Sequence, residues 1–256
     1  MHPEIHIQEK LNEQLAATPP LKPRNLWLDV GIYSVVVFIV LSLYLFATEG
    51  IYNLTSFSTA TADVGVLFIG LSFILSGICY FWDFADHFII YRKQLGVTGF
   101  IYSVVHALTI LYREGMLDIL VPKTVSSIDD ISLISSEIAI IMFGTMIIIS
   151  TKTVVHEIGG QRWRQLLRVG YFAVLLSLIH MFIKSSEGWI YWLTGNSHRI
   201  FPSLGLLVFI FGIAVLVMRI VLWIALLMKK PPVASVAKPV AATPPTSTSP
   251  PPSTNP

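Results

Sequence analysis

Two histidines lie inside otherwise apolar stretches of the sequence, His106 in GFIYSVVHALTILYREG and His180 in YFAVLLSLIHMFIK. An imidazole that leaves water needs partners for both of its ring nitrogens, so each of these positions is costly unless the side chain has a role. Two imidazoles on facing segments can also hold one metal centre between them. For each histidine taken alone, the competing interpretation is a hydrogen bond to a neighbouring helix.

The composition indicates the kind of element that carries these histidines. The chain has 256 residues, of which 54% are hydrophobic and only 12% are charged, and its mean hydropathy is +0.71. Soluble domains carry about 25% charged residues. The sequence therefore predicts an all-α, polytopic membrane protein. A net charge of +2 gives no indication of a nucleic-acid partner, and the single Cys79 excludes an internal disulfide and a multi-cysteine metal site.

Six apolar segments approach the roughly 20 residues that span a bilayer as a helix. We place them at Leu26–Phe46, Val64–Trp82, Leu95–Tyr112, Ile131–Ile149, Leu166–Ile183 and Ile200–Met228. Residues 26–228 thus form one six-helix transmembrane domain, preceded by an N-terminal arm, 1–25. Residues 229–256 are rich in Pro, Ser and Thr, which predicts a disordered tail.

The orientation of the segments follows from their flanking basic residues. One side of the predicted membrane carries Lys10, Lys22, Arg24, Arg92, Lys93, Lys152, Arg162, Arg164, Arg168, Lys229, Lys230 and Lys238. The other side carries only Arg113, Lys123, Lys184 and Arg199. We therefore expect both termini to be cytoplasmic and the protein to reside in the cytoplasmic membrane.

This orientation places the two histidines at similar depth. His106 lies seven residues before Arg113, about 10 Å along a helix, and His180 lies four residues before Lys184, about 6 Å. Both segments run outward, so both imidazoles are predicted in the outer half of the bilayer. We expect the third and fifth segments to be packed neighbours, so that at this level the two imidazoles can serve as the axial ligands of one haem iron.

Small residues precede each histidine at the same offsets. Gly99 and Ser103 lie seven and three residues before His106, and Ala173 and Ser177 lie seven and three residues before His180. Small side chains on the histidine face leave room for a flat macrocycle, so we include all four as candidate cofactor-binding residues. They would equally allow close packing of helices.

Two segments of the sequence carry a resemblance to a known family. YRKQLGVTGFIYSVVHALTIL resembles the RRxLGL…Y…LH segment of the ferric-reductase-like transmembrane family, and GGQRWRQLLRVGYFAVLLSLIH resembles its LGxxWxxLHRLxYxxxxxxxxH segment. The resemblance implies a six-helix haem-b protein in which His106 and His180 match ligand positions. Trp163, Arg168 and Tyr171 match the signature between them.

The resemblance extends over residues 64–228 and is closest to the haem-binding membrane subunits of bacterial periplasmic methionine sulfoxide reductase systems. One position departs from the family pattern, because Leu167 replaces the further histidine of LHRL. Leucine cannot ligate iron, so we expect one outer haem b and no inner one. His87 and His156 share the cytoplasmic side and are the alternative ligands for a makeshift inner site.

Acidic residues at the cytoplasmic end of the second segment leave two interpretations open. Asp83 and Asp86 are predicted to pair with Arg92 and Lys93 at the interface. Alternatively, these residues would bind the head group of a quinone or flavin that comes from outside the chain.

These observations favour an electron-transfer subunit of an oxidoreductase system over a complete enzyme. Electrons would come from a quinol or a separate reductase and pass to an extracytoplasmic acceptor protein. The alternative is a non-catalytic membrane scaffold or haem-sensing protein that has lost transmembrane electron transfer. A transporter is disfavoured, because neither an inverted repeat nor a Gly/Pro-broken pair of segments is visible.

Overall fold

The computed structural model describes residues 25–114, 127–158, 160–196 and 201–228. The predicted N-terminal arm (apart from its last residue) and the predicted disordered tail lie outside these residues. The helices are α1 Leu26–Glu49, α2 Leu54–Phe81, α3 Arg92–Glu114, α4 Ile128–Ile149, α5 Lys152–Ile158, α6 Gly160–Arg168, α7 Gly170–Leu193 and α8 Leu204–Met228. A 3-10 segment, Asp83–Tyr91, connects α2 to α3.

Six of these helices are long and apolar enough to cross a membrane, which confirms the all-α, six-helix fold class. The two largest boundary differences are the start of α2, at Leu54 and not at the predicted Val64, and the end of α7, at Leu193 and not at the predicted Ile183. The first turns of α2 are rich in Ser and Thr and therefore have low hydropathy. The helix is nevertheless started there by Asn53, whose side chain accepts a hydrogen bond from the backbone N–H of Ser56 at 3.0 Å.

Two antiparallel hairpins, α2–α3 and α4–α7, form the centre of the bundle. α8 lies against both α2 and α7, and α1 covers the outer side of α2. The α2–α3 contact is very close: a Cβ placed on Gly99 would lie 2.7 Å from the backbone nitrogen of Ile69 and 2.8 Å from the carbonyl oxygen of Gly65. The two backbones can approach this far only because glycine occupies both positions.

The buried core joins both hairpins to α8. It contains Ile69, Phe73, Ala139, Phe143, Ala173, Val174, Leu178 and Val215. Large apolar side chains such as Ile141 and Ile148 instead remain exposed on the outer surface of the bundle, where a bilayer would cover them.

The bundle has two distinct ends. At one end, which we call the histidine end, α2 and α4 begin and α3 and α7 finish, and Lys184 pairs with Asp129 at 2.6 Å. The opposite end, which we call the basic end, carries Arg92, Lys93 and helix α6.

Candidate functional site

His106 lies on α3 and reaches back to the start of α2. Its Nδ1 is 2.9 Å from the backbone oxygen of Ser58 and 3.0 Å from the Ser58 hydroxyl. Ser58 is the fifth residue of α2, so the imidazole sits near the histidine end of the bundle.

His180 repeats this arrangement in the second hairpin. Its Nδ1 is 3.0 Å from the backbone oxygen of Ser132 and 2.9 Å from the Ser132 hydroxyl. Ser132 is the fifth residue of α4, so the structure places the two histidines at equivalent positions along their hairpins.

The serine carbonyls decide which ring nitrogen is free. A carbonyl oxygen can only accept, so each Nδ1 must carry the proton and donate it. The lone pair then resides on Nε2, the arrangement in which a histidine binds a metal while its other nitrogen is held by a backbone oxygen. Within the described residues, neither Nε2 has a hydrogen-bond partner, and both imidazoles are only half-buried.

The equivalence of the hairpins extends well beyond the histidines. Each serine precedes its histidine by 48 residues, and the second pair lies 74 residues after the first. The helix caps Asn53 and Ser127 have the same 74-residue separation. The same 74-residue separation holds for six further pairs: Thr61 and Ser135, Asp63 and Glu137, Gly70 and Gly144, Gly96 and Gly170, Gly99 and Ala173, and Ser103 and Ser177.

The structure therefore contains a parallel internal repeat, in which both hairpins run in the same direction. Among these four helices, exchanging α2 with α4 and α3 with α7 preserves the pattern of contacts, because α3 packs on α4 just as α7 packs on α2. This repeat was not recognised in the sequence, although the equal Ser–His spacing was its visible signal.

The histidine-bearing helices lie diagonally across this four-helix unit. We expected α3 and α7 to be packed neighbours, and this was wrong: among the described helices, their extensive contacts are with α2, α4 and α8. The imidazoles of His106 and His180 still interact electrostatically across the unit. Extensive direct packing therefore does not join the two histidine-bearing helices within the described part of the chain.

The small residues before His106 serve the helix contact. Gly99 lies against the backbone of α2, and a Cβ on Gly65 would lie 2.6 Å from the Ser103 hydroxyl. In the second hairpin, Ala173 is fully buried in the core and accepts a hydrogen bond from Ser177 at 3.0 Å. Gly99, Ser103 and Ala173 thus lie at contacts between packed helices, whereas Ser177 bonds within α7.

One further ionisable residue near the histidine end was missed in the sequence. Asp63 on α2 is 1% exposed, and its Oδ2 has no hydrogen-bond partner within the described residues. Its repeat equivalent, Glu137, is exposed on α4 because no described helix covers that side. Both carboxyls lie within segments that can span a membrane.

At the basic end, Leu167 lines a cavity between the helices, where the family pattern would place a histidine. His87 packs against Phe88 and is exposed, as is His156 on α5. Neither is brought into a cluster of three or more potential metal ligands within the described part of the chain.

The predicted interfacial ion pairs are wrong. Across the described ranges, neither Asp83 nor Asp86 lies within ion-pair distance of Arg92 or Lys93. The two aspartates are exposed on the 3-10 segment, and Lys93 instead donates to the backbone oxygen of Ser150 at 3.3 Å.

Comparison with known proteins yields one family. No curated protein matches the chain. A family model, described as the ferric reductase like transmembrane component, matches residues 61–178. The match spans α2, α3, α4 and the start of α7, includes His106 and ends two residues before His180. The part of the chain that builds the four-helix unit is therefore similar to a ferric-reductase-like transmembrane component.

Proposed function

We propose that this protein is a b-type cytochrome of the ferric-reductase-like family, with one haem held by His106 and His180. The observation that carries the proposal is the repeated Ser–His pair, which orients two imidazoles in the same way from two symmetric hairpins. The family match supports it, because ferric-reductase-like domains in general bind haem.

The residues present fit this cofactor. Each Nδ1 is fixed by a serine carbonyl, which leaves two Nε2 atoms with lone pairs as the ligands. A haem with two imidazole ligands supplies one-electron transfer and leaves no open iron position for a substrate. The chain's contribution is to hold both rings in one tautomer and at one level.

The proposed role is that of an electron-transfer subunit in the cytoplasmic membrane. Donors of electrons are a membrane quinol or a separate reductase, and the acceptor is an extracytoplasmic protein. The basic end would face the cytoplasm, and the histidine end would face the acceptor. The specific likeness to methionine sulfoxide reductase subunits stays a prediction.

The experiment compares two alanine variants with a matched control. His106→Ala and His180→Ala each remove one axial ligand, so the reduced-minus-oxidised spectrum of a low-spin haem b should be lost or become high-spin. His87→Ala removes an exposed imidazole from the opposite end and should leave the spectrum unchanged.

Two results would contradict the proposal. Unchanged spectra in both alanine variants would mean that other residues are the ligands. A well-folded protein that takes up no haem during expression with adequate haem supply would favour the scaffold interpretation.

A further inference from the structure

The cavity at the basic end that Leu167 lines is a separate region from the histidines. It has a volume of about 310 Å³ and is lined by residues of α2, the 3-10 segment, α3, α4 and α6. Apolar side chains form most of its wall, including those of Phe73, Phe100 and Phe143. Leu167 also lines it, so a haem placed here would lack its family ligand.

The polar side chains around this cavity are mainly donors. Trp163 lines it, and the indole N–H is buried without an acceptor among the described residues. Arg92 and Lys93 line the same cavity. The Lys93 ammonium donates one hydrogen bond to the backbone oxygen of Ser150. No carboxylate is among the described residues that line the cavity. The cavity therefore favours a ligand that accepts hydrogen bonds.

Its positive charge is also uncompensated. Arg92 interacts electrostatically with Arg219 of α8, and the Arg219 guanidinium lies 5.0 Å from the centre of the Tyr171 ring. Within the described chain, no carboxylate is at ion-pair distance from either arginine. Charges of one sign held close together in a medium of low dielectric constant favour binding of an anion.

Net charge distinguishes the two ligand classes that could accept these hydrogen bonds, a neutral quinone and an anionic phosphodiester. A neutral quinone could accept from Trp163 but would leave Arg92, which lines the cavity, without a counter-charge. A phosphodiester accepts several hydrogen bonds and supplies the missing negative charge. The apolar wall suits the glycerol and acyl chains attached to such a group.

We propose that this cavity binds the phosphate headgroup of an anionic phospholipid, and that the lipid tethers α6 to the bundle. Trp163 and Leu167 lie one turn apart on α6 and line the cavity, whereas Arg162 and Arg168 are exposed. Basic pockets between helices on the cytoplasmic side are typical sites for such lipids. This site does not depend on haem binding.

The test is native mass spectrometry of the full-length protein with added lipids of identical acyl chains. We expect one phosphatidylglycerol per chain, retained at least about tenfold better than phosphatidylcholine. Equal retention of the two lipids would overturn the proposal. So would binding of inorganic phosphate with the same affinity, or displacement of the lipid by a short-chain quinone.

Matched variants locate the site. Arg92→Gln should weaken phosphatidylglycerol retention about fivefold, whereas Arg162→Gln removes the same charge from the exposed side of α6 and should have little effect. Trp163→Phe should also weaken phosphatidylglycerol retention. Its control is Trp223→Phe, at an exposed position on α8. If both control variants lose the lipid equally, the site is wrong. The comparison of phosphatidylglycerol with phosphatidylcholine on the wild-type protein tests the proposal even if Arg92→Gln does not fold.

Discussion

At the scale of single residues, a backbone oxygen determines what each histidine can do. Ser58 and Ser132 present their carbonyls to Nδ1, and the hydroxyls lie equally close. The carbonyl is supplied by any residue at these positions, whereas the hydroxyl requires serine or threonine. The backbone thus sets the tautomer, and the hydroxyl contributes an additional contact.

Alanine at these serines separates the two contributions. Ser58→Ala and Ser132→Ala should both keep the haem and lower stability by about 1 kcal/mol, the usual contribution of one hydrogen bond. The two losses should be similar because the hairpins are equivalent. Thermal melting in detergent together with visible spectra measures both effects, with Thr59→Ala as a control because Thr59 bonds only within its own helix. Loss of haem in either serine variant would show that the hydroxyl, and not the carbonyl, orients the ring.

Asp63 provides a second prediction at this scale. Its carboxyl is buried with one oxygen unpaired among the described residues, and an unpaired polar oxygen in a dry interior is destabilising. Asp63→Asn removes the ionisable group at nearly constant volume, so we expect an unchanged or higher melting temperature and an unchanged haem spectrum. A markedly lower melting temperature would reveal a partner for the carboxylate, such as a bound proton donor.

At the scale of helices, the hairpin contacts set where the histidines lie. Gly99 and Gly65 let α2 and α3 approach until backbone atoms meet, and this close packing brings His106 within reach of Ser58. A side chain at Gly99 would meet backbone atoms, which cannot move aside as a flexible side chain can.

Gly99→Ala should therefore destabilise the protein by about 1–3 kcal/mol, the usual cost of overpacking a core, and should weaken haem retention. Gly31→Ala is the matched control, because a Cβ on Gly31 of α1 has no atom within 4 Å. That variant should be neutral or more stable by about 0.5–1 kcal/mol, since alanine favours a helix. Equal melting temperatures for the two variants would contradict the close-packing argument.

Hydropathy was sufficient to predict the six spanning helices, because long apolar runs have few other interpretations. It was insufficient for the start of α2, where Thr55, Ser56 and Ser58 lower the hydropathy although the Asn53 cap begins the helix. The two histidines were visible because ionisable residues stand out in apolar segments. Their serine partners were not, since a Ser in a helix is unremarkable until tertiary packing brings it to an imidazole 48 residues away.

At the scale of the whole molecule, the two hairpins run in the same direction, and the two ends of the bundle differ chemically. The histidine end carries the candidate metal ligands, and the basic end carries the cavity that we propose binds an anionic headgroup. Among the described residues, the basic end combines several Lys and Arg residues with the amphipathic helix α6, which is typical of the cytoplasmic face.

Reporter fusions test which end of the bundle faces the cytoplasm. A reporter fused after residue 120, between α3 and α4 in the sequence, should report the extracytoplasmic side, and one fused after residue 230 should report the cytoplasm. The expected result follows from the asymmetry of basic residues between the two sides. Reports from the same side would contradict the six-span topology, and an exchange of sides would place the histidines toward the cytoplasm.

In the proposed arrangement the two equivalent hairpins share one haem. The pyridine haemochrome assay, combined with the protein concentration, measures the haem content of the purified full-length chain. We expect one haem b per chain, because among the described residues His106 and His180 are the only histidines that the repeat brings to one level, and Leu167 provides no ligand at the basic end. Two haems per chain would contradict it and would make His87 and His156 the next candidates, and a folded chain without haem would contradict it outright.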